Sequence, residues 1–163
     1  MARVSDQSQG RPGFGIAQPG NGRRAAGVLI TVIATAGAMG LGQKLWPNPV
    51  GAATPPASLL PLFIGLELAG ALLFGLGICF LAFGYSALAR ARQPLWATGA
   101  TYVSIAWLLL SWWPHGNLHR VTTGADWGGL LRIDYGFHLT LMASALVVAL
   151  FFLRVLRSSA DAR

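Results

Sequence analysis

The sequence is short of charge and short of the residues that soluble enzymes use for chemistry. Only 10% of its 163 residues are charged, against 54% hydrophobic, whereas a soluble domain carries about 25% charged residues to cover its surface. With a mean hydropathy of +0.55, the chain reads as a membrane protein. The single cysteine, Cys79, excludes an internal disulfide and any multi-thiolate zinc or iron–sulfur centre. There is no nucleophile elbow, no phosphate-cradling glycine loop and no serine with a base beside it. Hydrolase and kinase chemistry are set aside, and the chain is not expected to be an enzyme on its own.

What is abundant is long apolar runs. A helix needs about 20 such residues to cross about 30 Å of hydrocarbon. Runs of that kind cover 25–45, 59–82, 95–113 (ending at Pro114) and 133–153. None alternates with period two, which excludes a β-barrel. The expectation is an all-α membrane protein, a four-transmembrane-helix bundle over 25–157. A Gly-, Ser-, Gln- and Pro-rich disordered tail at 1–24 would precede it, and a short tail at 158–163 would follow. Pro47, Pro49, Pro55 and Pro56 make the first outer loop extended.

The net charge of +7 invites a nucleic-acid reading, but the basic residues flank apolar runs and do not lie on a folded surface among exposed aromatics. Four spans put Arg3, Arg11, Arg23, Arg24, Arg90, Arg92, Arg154, Arg157 and Arg163 on one side, nine of twelve basic residues. Only Lys44, Arg120 and Arg132 fall on the other. The positive-inside rule then places both termini in the cytoplasm of a multi-pass cell-membrane protein, with the lipid bilayer and no nucleic acid as partner. Trp46, Trp112, Trp113 and Trp127 gather at the outer boundary, as an interfacial belt requires. Trp107 reads as packing.

Lipid supplies no hydrophobic drive between helices, so small residues have to bring backbones together. Ala34, Ala38 and Gly42 in the first span, and Gly65, Gly70, Gly75 and Gly77 in the second, offer such faces to each other, to other membrane subunits or to a second copy of the chain.

Ionisable groups inside a membrane cost about 2.5–3.5 kcal/mol on insertion scales and mark functional sites by default. Glu67 lies about eight residues into its span, roughly 12 Å deep. It is either a relay acid or a neutral carboxyl bonded to a neighbouring helix. Asp134 and His138, four apart, share one helix face, and Met142 continues that stripe; the pair reads either as ligands or as a local Asp–His hydrogen bond that stabilises the helix start. His115 and His119 have the spacing of two ligands on a helix, although Gly116 and Asn117 after Pro114 argue for a turn. All three histidines of the chain, with Asp126 and Asp134, thus lie on the outer side between 115 and 138. Imidazole and carboxylate ligands suit copper or zinc, and two histidines facing across the bundle would suit haem. His115, His119, Asp134 and His138 are the candidate metal ligands, with Glu67 behind them as an intramembrane acid.

Through Gly42-Gln43-Lys44-Leu45 and Glu67-Leu68-Ala69-Gly70 the chain resembles small four-span proteins of the DoxX type. The Asp134-x-x-x-His138 pair is similar to part of the copper site in membrane monooxygenase C-type subunits, without the further histidine of that helix. Neither resemblance implies a function for this chain. The residues point to an accessory or structural subunit of a larger membrane complex with an extracytoplasmic His/Asp metal or redox site; the alternative is a proton-coupled carrier or channel subunit using Glu67.

Overall fold

The computed structural model of the chain describes residues 20–52, 54–122 and 126–161, and among these it is helical with no strand. The elements are α1 (Asn21–Leu45), α2 (Leu60–Ala89), α3 (Leu95–Leu110), α4 (Trp112–Val121), α5 (Trp127–Ile133) and α6 (Thr140–Asp161). A six-residue π-helical segment, Asp134–Leu139, joins α5 to α6. Three stretches are long and apolar enough to cross a membrane: α1, α2 and the continuous run Trp127–Ala160. The pair α3 and α4 makes a fourth if the two, bent by 41° at their break, are one span.

The boundaries differ from the hydropathy reading mainly by extension. The second helix continues to Ala89, and the last begins at Trp127 and runs through residues expected as a tail. α1 starts inside the stretch expected as the N-terminal tail; residues 1–19 of that tail, with 162 and 163, lie outside the described residues. Proline sets two of the starts. Pro61 sits in the first turn of α2, where a missing N–H removes no intrahelical bond. Pro94 caps α3 after a turn in which Arg92 adopts φ +52°.

The long helices α1, α2, α3 and α6 pack in series, each antiparallel to its neighbour in the row. Arg23 at the head of α1 donates to Ser86 Oγ near the end of α2 at 2.8 Å. Tyr102 Oη on α3 donates to the Leu81 carbonyl of α2 at 2.6 Å. Trp107 Nε1 on α3 donates to Thr140 Oγ1 of α6 at 2.8 Å. α1 packs on α2, α2 on α3 and α3 on α6, with no broad contact between α1 and α6. The result is an open row of packed helices. Its buried apolar centre is small: Ala38, Ala71 and Trp113, flanked by Trp46 and Phe74.

Close approach is concentrated at a few small residues. A Cβ at Gly75 would stand 2.5 Å from the Thr31 carbonyl oxygen of α1, and one at Gly77 would stand 2.8 Å from Leu110 of α3. Gly65, expected to share this role, has nothing within 4 Å. The row has two unlike ends. Arg23, Arg24 and Arg90 line a groove at one of them, with Arg154 over the Trp96 ring at the same end. Gly42, Glu67, Trp113 and Asn117 meet toward the other.

Candidate metal centre

The stretch after Pro114, expected as a turn, is the helix α4. Pro114 is its third residue, where its lack of an N–H is tolerated. The cost falls one turn back, where the ring opposes the carbonyl of Leu110 and the helix breaks and bends. The chain restarts at once, with His115 N bonded to the Ser111 carbonyl at 2.9 Å. Asn117 does not break the helix, because its amide donates to the Trp113 carbonyl at 2.9 Å and the residue is buried.

At 100° per residue α4 has two distinct faces. Trp113, Asn117 and Arg120 form the inner one. Trp113 wedges between Trp46, at 5.1 Å and edge-on, and Phe74 at 4.8 Å. The Arg120 guanidinium bonds Asn117 Oδ1 and the Trp46 carbonyl, both at 2.8 Å, together with Gln43 and Asn48. This fan pins α4 to the end of α1. His115 and His119 stand on the opposite face, held there by groups that touch neither imidazole.

The third histidine arrives through the π segment. A π turn carries one residue more than an α turn and rotates the helix after it relative to the helix before it. Thr140 supports it: its hydroxyl lies 2.6 Å from the Gly136 carbonyl and 3.1 Å from that of Phe137, while accepting from Trp107 Nε1. Phe137 stacks on Trp107 at 5.8 Å and lies 5.3 Å from the His115 ring. Upstream, Asp126 caps α5 by accepting from Gly129 N at 2.8 Å, a contact of about 1 kcal/mol.

Three imidazole nitrogens converge. His115 Nε2 is 3.0 Å from His138 Nε2 and 3.1 Å from His119 Nε2, and the potential ligand atoms of all three lie within 4.8 Å of one another. A ring nitrogen has a single in-plane position, either a proton or a lone pair. His115 Nε2 can therefore make one good hydrogen bond but has two neighbours at that distance. An ion accepting both lone pairs is one arrangement that would remove the conflict. Two nitrogens about 2.0–2.1 Å from a tetrahedral ion stand about 3.3 Å apart, close to both observed separations. The 3.0 Å between His115 and His138 leaves no slot for the disc of a haem.

The other candidates stand apart from the convergence point. Asp134 contributes no atom to it; its Oδ1 lies 3.1 Å from His138 Nδ1, on the far side of that ring. Met142 is 70% exposed. Cys79 lines the groove at the arginine end. Glu67 sits at the junction of α1, α2 and α4: a Cβ at Gly42 would find Glu67 Oε1 at 3.3 Å, Asn117 Oδ1 at 3.5 Å and Trp113 Nε1 at 3.8 Å. The supporting Arg120, Thr140 and Trp107 had no sequence motif to announce them. No protein-family model, curated protein or solved structure matches the chain.

Proposed function

We propose that this small membrane protein carries one transition-metal ion on His115 Nε2, His119 Nε2 and His138 Nε2, and serves as a metal-bearing accessory subunit of a larger membrane assembly. The observation that carries the reading is the shared position of His115 Nε2 between two other imidazole nitrogens. Three neutral nitrogens with no thiolate suit zinc or copper. Asp134 bonded to His138 Nδ1 is the outer carboxylate that fixes the tautomer of a metal-bound imidazole and raises its basicity. Three protein ligands leave a fourth position for water, a substrate group or a donor from a partner. The His138 side chain is 46% exposed, so that position is not closed off by the protein itself. By the positive-inside rule the site lies on the extracytoplasmic side. The open row of helices, whose outer faces are left to lipid or to neighbouring subunits, supports the accessory role.

Full-length protein purified in mild detergent and exposed to zinc or copper is expected to retain one ion per chain at pH 7.5. It should release the ion progressively as pH falls below about 6.5, where free imidazole protonates. Metal-free protein at pH 7.5 after exposure to both metals would end the proposal. Asp134→Asn keeps the three ligands but weakens the support of His138, and should lower affinity by about 10–100-fold with stoichiometry unchanged. Competition against a chelator measures it.

The second reading is a proton-coupled carrier built on Glu67, supported by the placement of that carboxyl beside Asn117 and Trp113 where three helices meet. An open row of this length would need a second copy to close a pathway, and this reading leaves the imidazole convergence without a role.

A further inference from the structure

We infer that the arginine end of the protein holds one anionic phospholipid between α1 and α2. A groove of about 560 Å³ opens there, within the size range of small-molecule sites. Its floor is apolar, with Val32, Leu76 and Cys79, and its mouth carries Arg23, Arg24 and Arg90. None of the described residues lining it is acidic. Arg23 is positioned by the Phe83 carbonyl at 3.3 Å, by Ser86 Oγ at 2.8 Å and by the Phe83 ring beneath it at 5.1 Å. α1 has no acid in its first turn, and the positive end of its dipole adds to the charge of these arginines.

This is the chemistry of an amphiphile. Guanidinium groups in a cluster pair with phosphate oxygens, and the apolar floor continues down the membrane where an acyl chain lies. Basic pockets between spans on the cytoplasmic side take anionic head groups in this way. The groove is on the lipid-facing side because α1 packs on α2 alone among the long helices. The chain's own first nineteen residues make a poor occupant, since Arg3 and Arg11 outnumber their one acid, Asp6.

Cys79, the only thiol, lies in the groove and reports its occupancy. Full-length protein in mild detergent is supplied with dioleoyl phosphatidylglycerol, dioleoyl phosphatidylcholine or glycerol 3-phosphate. Cys79 alkylation by N-ethylmaleimide is timed, and bound lipid is counted by native mass spectrometry. Phosphatidylglycerol should slow alkylation about ten-fold and persist as a 1:1 adduct, and the other two should do neither. Combined Arg23→Gln, Arg24→Gln and Arg90→Gln should remove both effects. Equal protection by phosphatidylcholine would reduce the site to ordinary boundary lipid, and equal protection by glycerol 3-phosphate would make it a free-anion site; either overturns the inference. So would protection without added lipid that disappears when residues 1–19 are removed, which would assign the groove to the tail.

Discussion

Replacing His138 with alanine is expected to abolish stoichiometric metal retention, from one ion per chain to none surviving desalting, with at least about a 100-fold loss of affinity. Removal of a mere supporting group costs about 10–100-fold, and His138→Ala removes a ligand together with the point of its support. The side chain is 46% exposed and its ring contacts are the other two imidazoles, Asp134 and little else. Helicity and elution volume should therefore be unchanged, which separates loss of the site from loss of the fold. Two comparisons sharpen the result. Met142→Ala should retain the ion, since that thioether lies outside the convergence. Asp134→Asn should add nothing in the His138→Ala background, because the carboxylate acts only through the ring. Full retention by His138→Ala would sink the tris-imidazole site.

The largest structural effect is expected at Gly75. A Cβ there would collide with Thr35 Oγ1 and stand 2.5 Å from the Thr31 carbonyl oxygen. The second of these is backbone and cannot swing aside. Alanine gains about 1 kcal/mol of helix propensity over glycine, but overpacking of this kind costs about 1–3 kcal/mol or more. Gly75→Ala should therefore lower the unfolding midpoint by several degrees. It should also speed Cys79 alkylation, because α1 covers that thiol: a Cβ at Gly27 would meet its Sγ at 3.3 Å. Gly65→Ala, with nothing within 4 Å, is the matched control: it keeps the propensity gain without the clash, so it should not lower the midpoint and should not speed Cys79 alkylation. Similar behaviour of the two variants would show that α1 is not seated on α2 through Gly75.

The contrast between those two glycines also shows where sequence reading reached its limit. The apolar runs were legible because lipid forces every backbone group into a helix, and proline placed several ends. The order of packing was not legible. Glycines lie all round α2, and only contact distinguishes Gly75 from Gly65. The three histidines were legible as candidate ligands of one site, but the approach of their rings was not. Gly116-Asn117 after Pro114 carries a turn signal, and it was overridden because Asn117 is tied to the Trp113 carbonyl and to Arg120. Four-residue spacing leaves Asp134 and His138 open as joint ligands or as a local hydrogen-bonded pair. The ring of His138 points one nitrogen at Asp134, as the second alternative has it, and the other at His115, a division that spacing alone does not specify. Nothing in the composition of Asp134–Leu139 announces a π segment, and its supports, Thr140 and Trp107, read as ordinary span residues.

That segment sets the direction of His138 through the backbone and not through any ring contact. A chain that kept every residue of Asp134–Leu139 but ran there as uninterrupted α-helix would carry His138 round by roughly a quarter turn relative to α5. All three imidazoles would still be present and the chain would still be helical, yet their nitrogens would no longer face one another. Sequence comparison of the three histidine positions alone would not reveal that difference.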